Sequence, residues 1–359
     1  MAPTAIDAFA GGGGLAAGLE RAGFRVVAAV ELEPRAFTTC RASHREVKCL
    51  KQDIAAVSGA ALLDLAGTDR IDLLAGCPPC QGFTSLTAKY KDKVDPRNEL
   101  VLEMACLAKE VRPRAFMMEN VPGLALKGEG LHLQLRARLE ALDCRLTEGI
   151  LQVADFGVPQ VRRRFVLLGG RGFRIPLPRA AHSRSPDGEL EPWRTVRHAI
   201  EGMSEPLTLA EARAKGSVER SNWHVVRNLS ARNIERIKSA KAGETWKHIP
   251  EHLRPACHRD GYVGFTSVYG GMAWDRPSPT ITGGCTTFSK GRFGHPDADR
   301  TISVREAALL QTFPPDYRFD TPYMDHVCNM IGNALPCDFA EVVSRQCVEQ
   351  LEKQPADRS

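Results

Sequence analysis

TAIDAFAGGGG, at residues 4–14, places a short apolar run directly before four consecutive glycines. The run predicts a buried strand over residues 4–9, and the apolar spacing of residues 15–21 predicts that a helix follows the glycines. Glycine lets the backbone approach another group closely, where a side chain would obstruct it. A strand that turns through glycines into a helix therefore predicts a nucleotide-type pocket at the edge of a sheet.

The glycines also satisfy the pattern GxGxxG/A through Gly11, Gly13 and Ala16. Glu31 lies 20 residues after Gly11, at the end of the next predicted strand, where an acid can hold ribose hydroxyls. Asp53 follows a third short run and can either receive an adenine amino group or cap the N-terminus of a helix. These signals alone do not separate NAD, FAD and S-adenosylmethionine as the ligand.

The alternation of strands and helices continues to about residue 170. Apolar runs predict further strands at residues 25–30, 71–75, 114–118 and 164–169. Amphipathic stretches predict helices at residues 15–21, 34–43, 98–109 and 131–142. This order predicts an α/β fold with a doubly wound, mostly parallel, Rossmann-like sheet.

Beyond residue 171 the alternation is lost among prolines, arginines and tryptophans. We predict a second, smaller domain at residues 172–300. Helical spacing returns in the tail, residues 301–359, at 303–312 and 337–351, and the apolar faces of these helices need a partner. The first domain, residues 1–171, is the expected partner, which would make that domain discontinuous.

Composition fits one enzyme-sized globular protein. The chain has 359 residues, of which 43% are hydrophobic and 25% charged, so it can bury a large core and a smaller lobe. We find neither a long apolar run nor a signal peptide, and we expect a cytoplasmic protein without a membrane partner. Eleven cysteines, an odd number in a long chain, favour reduced thiols over a disulfide framework.

Charge is distributed unevenly along the chain. Residues 156–262 contain 20 Lys and Arg against 11 Asp and Glu, a net charge of +9 within a total of +5. A basic lobe beside a mildly acidic remainder is typical of nucleic-acid binding, because Lys and Arg neutralise phosphates. An ordinary solvated surface is the alternative at this point.

GCPPCQGF, at residues 76–83, follows the predicted strand at 71–75 and places Cys80 at the carboxyl edge of the sheet, where ligands bind. Three interpretations are open: a redox pair of Cys77 and Cys80, half of a metal site, or a lone nucleophile at Cys80. The rigid Pro78-Pro79 backbone and the lack of a second CxxC favour the nucleophile. Cys77 is then interpreted as a bystander.

Two further motifs place charged groups near the same edge. Glu119 follows the strand at 114–118 and is a candidate proton donor or, alternatively, a helix-capping acid. In QVRRR, at residues 160–164, the alternating Arg162 and Arg164 must face a polar site or an anion. Metal binding is not expected, because prolines interrupt the spacing of the possible ligands His248, His252, Cys257 and His258.

In this order the motifs resemble those of the cytosine-C5 DNA methyltransferases of the compact bacterial modification type, across nearly the whole chain. Residues 7–14, Glu31 and Asp53 are similar to the first three motifs of that family, and residues 79–81 to the catalytic fourth. Residues 119–121 and 160–164 resemble the sixth and eighth motifs, and residues 276–282 and 331–336 the ninth and tenth. Cys77 and Cys337 depart from the pattern, where glycine and proline are common.

The resemblance implies an S-adenosylmethionine-dependent methyltransferase fold and methylation of carbon 5 of a flipped cytosine in a specific short sequence of double-stranded DNA. Cys80 would form a covalent adduct at carbon 6, Glu119 would protonate or hydrogen-bond ring nitrogen 3, and Arg162 and Arg164 would hold the base. The cofactor S-adenosyl-L-methionine would be held by Phe9, Gly11, Gly13, Glu31, Asp53, Ile54, Pro79 and Asn333.

The resemblance also implies roles for whole segments. Residues 1–171 would be the catalytic and cofactor-binding domain, 172–300 the target-recognition domain, and 301–359 a helical segment that returns to the catalytic domain. The loop at 81–97, rich in Ser, Thr, Lys and Arg, is predicted to close on DNA phosphates, with an ordinary solvated loop as the alternative. We expect a monomer associated with the nucleoid, and a cognate restriction endonuclease acting on the same site is a candidate partner.

Three other functions are alternatives to DNA methylation. A transfer RNA cytosine-5 methyltransferase of the same family would share these motifs, but its branch carries a Cys-Phe-Thr tripeptide that this sequence lacks. A catalytically silent DNA-binding protein would not need Cys80, Glu119 and the arginines together. A dinucleotide oxidoreductase would not explain them either.

Overall fold

The computed structural model describes residues 2–79, 96–186, 188–216, 222–240, 242–259, 261 and 264–354. The chain divides into two compact units. Unit 1 comprises Met1–Phe156, Arg163–Ala180 and Leu335–Ser359. Unit 2 comprises Gly157–Arg162 and Ala181–Ala334. The functions assigned above to residues 1–171, 172–300 and 301–359 stay predictions.

Unit 1 is built on a seven-stranded sheet. Its strands are β1 (Thr4–Asp7), β2 (Arg25–Val30), β3 (Lys48–Leu50), β4 (Leu73–Gly76), β5 (Ala115–Asn120), β6 (Cys144–Gln152) and β7 (Arg163–Arg171). They are ordered β3-β2-β1-β4-β5-β7-β6. The first five run parallel, and β7 is antiparallel to both of its neighbours. The predicted doubly wound, mostly parallel sheet is confirmed.

Helices connect these strands, as the alternation in the sequence predicts. They are α1 (Gly14–Ala22), α2 (Pro34–Ser43), α3 (Gly59–Ala66), α4 (Leu100–Val111), α5 (Gly123–Lys127) and α6 (Glu129–Glu140). The apolar residues of α4 recur with helical spacing at Val101, Met104, Ala105 and Ala108, and all four are buried. Pro34 occupies the first turn of α2, and the Glu33 carboxylate accepts from the N–H groups of Arg35 and Ala36.

Unit 2 has little regular structure. Its strands are the two-residue segments β8 (His182–Ser183), β9 (Glu191–Pro192), β10 (Leu207–Thr208) and β11 (Val225–Val226). Its helices are α7 (Val196–Ile200), α8 (Leu209–Ala214), α9 (Ala231–Ser239), α10 (Val304–Leu310) and α11 (Met324–Asn333). A small core packs around the buried Trp246. Within the described ranges, no helix of either unit is both long and apolar enough to cross a bilayer.

The last helix, α12 (Cys337–Lys353), belongs to unit 1 and packs on α1. A Cβ atom at Gly18 would lie 2.4 Å from the Cβ of Ala340, so this close approach of the two helices requires glycine. Arg114 donates through Nη2 to the carbonyl oxygens of Leu351 and Gln354, at 3.1 and 2.9 Å, and so caps the end of α12. The predicted C-terminal helix at 337–351 is confirmed.

Candidate active site

Asp7 ends β1 with a fully buried carboxylate. Its Oδ1 accepts a hydrogen bond from the Phe9 N–H at 3.3 Å. Burial raises the pKa of Asp7 to about 7, the Glu31 charge adds to the rise, and the Phe9 N–H and His44 oppose it. None of the described residues donates a hydrogen bond to the buried Oδ2. The start of the glycine loop therefore carries a buried oxygen that can still accept a hydrogen bond.

The glycine loop turns sharply between β1 and α1. Gly11 and Gly13 have φ angles of +54° and +89°, in the left-handed region that favours glycine. A Cβ atom at Gly11 would meet nothing within 4 Å, so open space lies beside the loop. The Gly11 N–H donates to Oε2 of Glu31, and the Glu33 N–H donates to Oε1, both at 2.7 Å. Glu31 thus joins two loops, and its predicted contact with a ribose stays a prediction.

The segment after β3 contains two predicted cofactor residues. Asp53 is exposed, and its Oδ1 accepts from the Ala55 N–H at 3.1 Å, so it caps the short 3₁₀ helix Ile54–Ala56. Ile54 itself is buried. Of the two roles considered for Asp53, helix capping is observed, and contact with an adenine amino group stays a prediction.

Leu32 is a candidate that the sequence did not indicate. It follows Glu31 directly, and its side chain is 60% exposed. A large, exposed apolar side chain next to a carboxylate offers an apolar surface for a planar ring. The only feature of the sequence that could indicate Leu32 is that it is an aliphatic residue at the end of a buried strand.

Cys80 lies outside the described residues, as does most of the predicted lid, residues 80–95. The described segment before it ends with Pro78 and Pro79. Asn120, at the end of β5, is buried and donates through Nδ2 to the Pro78 carbonyl oxygen at 3.0 Å. Its Oδ1 accepts from the Val121 N–H at 2.7 Å. The backbone that leads to Cys80 is therefore fixed to the neighbouring strand.

Glu119 and Arg164 form a buried ion pair at this edge of the sheet. Nε of Arg164 lies 2.6 Å from Oε1 of Glu119, and the two side chains are 13% and 7% exposed. Glu119 pairs with Val166 across β5 and β7, so Arg164, two residues from Val166, is a diagonal neighbour on the same face. Burial lowers the pKa of Arg164, and the Glu119 charge opposes that shift. The structure thus brings two of the predicted catalytic residues together.

Cys77 also contacts Glu119. It follows β4 directly, and because Gly76 pairs with Met118, the next residues, Cys77 and Glu119, lie side by side. The Cys77 thiol hydrogen-bonds the Glu119 carboxylate. Burial, followed by the charge of Glu119, raises the pKa of this thiol well above its usual value. Cys77 is therefore a neutral donor beside the predicted acid, a contact that the sequence did not predict.

Arg162 lies in unit 2 and is almost fully buried. Its Nη1 donates to the carbonyl oxygens of Ile281 and Gly332, at 2.9 and 3.1 Å. Gln160 accepts from the Ile281 N–H at 2.9 Å through Oε1. These bonds join the part of the eighth motif that lies in unit 2 to Ile281 of the ninth motif and Gly332 of the tenth, both also in unit 2. Contact of Arg162 with a base stays a prediction, as does contact of the exposed Asn333 with the cofactor.

His258, one of the possible metal ligands in the sequence, has other contacts. The His258 ring packs edge-on against Trp246 and Tyr269, with centroid distances of 4.9 and 5.5 Å. Sγ of Cys257 lies 3.1 Å from Nδ1 of His258. Across the part of the chain that the structure describes, no three His, Cys, Asp or Glu side chains are grouped so that they could hold a metal ion.

The strand order 3-2-1-4-5-7-6, with its antiparallel seventh strand and a glycine loop after the first, defines the fold of the S-adenosylmethionine-dependent methyltransferases. A solved structure of a protein described as a DNA modification methyltransferase, encoded within an E. coli prophage, has the same fold. The TM-score is 0.73 at 23% identity, over 98% of this chain and 100% of that chain.

The sequence model of the C-5 cytosine-specific DNA methylase family matches residues 4–349, and the chain belongs to that family. It is 34% identical to the type II methylase M.HgiDII of Herpetosiphon aurantiacus, over 98% of this chain and 97% of the relative. It is 32% identical to the type II methyltransferase M1.HphI of Haemophilus parahaemolyticus, over 96% and 86%. The family predicted from the ordered motifs is confirmed, and with it DNA cytosine-5 methylation and the cofactor S-adenosylmethionine.

Proposed function

We propose that this chain methylates one cytosine in a short sequence of double-stranded DNA, with Cys80 as the covalent nucleophile and Glu119 and Arg164 as the groups that bind the ring. The buried Glu119–Arg164 ion pair is the observation that carries the proposal. Removing two charges from water is costly, and charged groups buried at the ligand-binding edge of a sheet are candidates for a functional site.

The chemistry requires a nucleophile because carbon 5 of cytosine is too weakly nucleophilic to take a methyl group directly. We propose that the Cys80 thiolate adds to carbon 6 while Glu119 protonates or hydrogen-bonds nitrogen 3, which stabilises the charge that develops on the ring. Carbon 5 would then take the methyl group of the bound cofactor, whose sulfonium becomes a neutral thioether, and loss of the carbon 5 proton to water expels Cys80. The sulfur is free for the next turnover.

Arg164 has donors left for the base. A guanidinium carries five N–H groups, and within the described structure Nε serves Glu119 and Nη1 donates to the Arg163 carbonyl oxygen at 2.8 Å. The remaining N–H groups suit a carbonyl oxygen of the ring or the adduct. Arg162 is proposed, from the motif alone, to assist in holding the base.

The residues at the ends of β1 and β2 fit the cofactor. S-Adenosylmethionine, when bound, supplies an electrophilic methyl group and carries positive charge, which would favour the ionised form of the buried Asp7 carboxyl. We propose that Glu31 and Asp53 bind the nucleoside and that Leu32 lies against its ring. The remaining proposed cofactor contacts are Phe9, Gly11, Gly13, Ile54, Pro79 and Asn333.

Unit 2 is proposed to recognise the DNA. Several arginines of its basic segment have structural roles, since Arg236, Arg254 and Arg259 donate to backbone carbonyl oxygens. Arg232 and Lys247 are exposed, and we propose that such cations bind phosphates while other side chains contact base edges. The target base must leave the stack to reach Cys80, and residues 81–97 are proposed to close over it.

The type II names of the relatives suggest a restriction-modification setting. We propose that a cognate restriction endonuclease acts on the same sequence and that the methyltransferase acts as a monomer on DNA of the nucleoid. One chain then suffices for binding and chemistry.

Transfer of a labelled methyl group to DNA or to RNA tests the proposal most directly. We expect transfer to double-stranded DNA, and bisulfite sequencing of DNA from expressing cells should reveal one short target sequence. Transfer to RNA alone would overturn the proposed substrate.

The adduct is tested separately with DNA that contains 5-fluorocytosine, because fluorine cannot leave as a proton does. We expect a covalent complex with the wild-type enzyme and none with Cys80→Ser, which should keep its binding of DNA and cofactor. Cys106→Ser, at a partly exposed cysteine of α4, is the matched control and should still be trapped. Normal turnover by Cys80→Ser would refute the mechanism.

A further inference from the structure

Two groups meet the Glu119 carboxylate, and the proposed chemistry uses only one of them. Arg164 reaches Oε1 from β7 at 2.6 Å. Cys77 hydrogen-bonds the same carboxylate from the end of β4, on the opposite side of β5. Glu119 is thus held from both neighbouring strands.

The register of the sheet fixes the contact between Cys77 and Glu119. β4 and β5 pair in parallel from Leu73 and Ala115 to Gly76 and Met118. The residues that follow these last pairs are Cys77 and Glu119, at the edge where both strands end. The side chain at position 77 therefore determines which group contacts Glu119 from β4, and a glycine there would offer no side-chain donor.

The thiol acts as a donor rather than as a thiolate. Burial is the largest cause that raises the pKa of Cys77, and the negative charges of Glu119 and Asp7 add to it. Arg164 acts in the opposite direction and does not outweigh them. At neutral pH the sulfur keeps its proton, which also distinguishes Cys77 from the low-pKa thiols of redox and nucleophilic sites.

We propose that Cys77 is a positioning residue for the methyl-transfer reaction, whose thiol donates a hydrogen bond that, together with Arg164, fixes the orientation of the Glu119 carboxylate toward the ring. The inference rests on the proposed function of Glu119. A carboxylate held by two donors loses rotational freedom yet keeps lone pairs for the proton that it is proposed to share with nitrogen 3, since it has about four acceptor sites.

Single-turnover rates of Cys77→Ala and Cys77→Ser test the role. Alanine removes the donor, and we expect methyl transfer to slow about three- to tenfold, at most ~1.4 kcal/mol, with unchanged dissociation constants for DNA and cofactor. Serine restores a donor, and we expect a rate within about twofold of the wild type. Alanine at the wild-type rate, or serine as slow as alanine, would overturn the proposal.

Cys347 of α12 provides a matched control. It is fully buried in unit 1, and burial alone raises the pKa of its thiol to about 12. Both Cys347→Ala and Cys347→Ser should leave the transfer rate unchanged, and serine should lower thermal stability more than alanine because its hydroxyl lacks a partner. If the two Cys77 variants also transferred methyl groups at the wild-type rate, and serine lowered thermal stability more than alanine, Cys77 would have a packing role only.

The S–H stretching band gives a readout that does not depend on catalysis. The band lost from the Raman spectrum in Cys77→Ala belongs to this thiol. In Glu119→Gln that band should move to higher frequency, because an amide oxygen is a weaker acceptor than a carboxylate. An unmoved band would refute the contact, even if the enzyme were inactive. Full activity of Glu119→Gln would instead refute the proposed function of Glu119.

Discussion

Asp7 should make the protein less stable as the pH rises from about 4 to 7, and Asp7→Asn should remove that dependence. The carboxyl is fully buried, and burial raises its pKa to about 7 from 3.8. Between these two values the folded state keeps a proton that the unfolded state has lost. The stabilisation is complete below the unfolded pKa and is lost as the pH rises through the folded one.

The size of this pH dependence follows from the one proton that Asp7 keeps in the folded state. Each pH unit within the window changes the free energy of unfolding by about 1.4 kcal/mol, so the whole window corresponds to about 4 kcal/mol. Between pH 5 and 7 the wild type should lose about 2–3 kcal/mol relative to Asp7→Asn. Asparagine keeps an oxygen for the Phe9 N–H, and its buried amide adds a cost that does not vary with pH in this range.

Urea unfolding of both proteins at pH 5, 6, 7 and 8 measures the difference. Subtracting one curve from the other removes the contributions of groups that do not interact with Asp7. Glu31, whose charge acts on Asp7 and whose pKa burial also raises, stays in the difference as a smaller contribution. Asp64→Asn, at an exposed carboxylate on α3, controls for the loss of one charge. A difference that stays constant across this range, or that grows in the opposite direction, would refute the assignment of a buried proton to Asp7.

Three other substitutions test the packing around the site. Arg164→Met should destabilise the protein by about 3–5 kcal/mol, since it leaves a buried carboxylate unpaired. Arg163→Met, at an exposed arginine, is the control and should change the free energy of unfolding in urea by about 0.5 kcal/mol or less. Gly18→Ala should lower stability by about 1–3 kcal/mol, because the added methyl group overlaps α12. Gly130→Ala, at a glycine with open space around it, should raise stability by up to about 1 kcal/mol. Equal effects of the two substitutions on the melting temperature would contradict the helix contact. Asn120→Ala should slow trapping by 5-fluorocytosine DNA because the backbone before the nucleophile loses its anchor, and unchanged trapping kinetics would show that the anchor is not needed.

The strands that the sequence predicted are those buried on both faces. β2 was predicted with the bounds it has, and β1, β4, β5 and β7 within a few residues, because their apolar runs are continuous. β6 was missed: its nine residues are mostly half-buried, so they show neither an apolar run nor a clean alternation. α3 was missed because GAALLDLA is nearly all apolar and has no polar face to reveal a helical period.

The site was predictable where it depends on strand ends, and not where it depends on register. The rule that ligands bind at the carboxyl edge was enough to select Glu119 as a functional candidate, and two arginines near a strand start required an anion. Nothing in the spacing gives the pairing of Gly76 with Met118, which brings Cys77 to the acid. The sequence alone therefore does not relate Cys77 to the chemistry.

Register also explains why two consecutive residues of β5 hold different parts of the site. Successive side chains of a strand point to opposite faces, so Glu119 and Asn120 cannot serve the same partner. Glu119 meets Arg164 and Cys77, while Asn120 holds the Pro78 carbonyl oxygen on the turn toward Cys80. A slip of one residue between β4 and β5 would exchange these partners and leave the acid without its thiol and the turn without its anchor. The order Glu119-Asn120 is thus a requirement of the sheet as much as of the chemistry, since the acid and the turn before the nucleophile are both positioned by the same two strands.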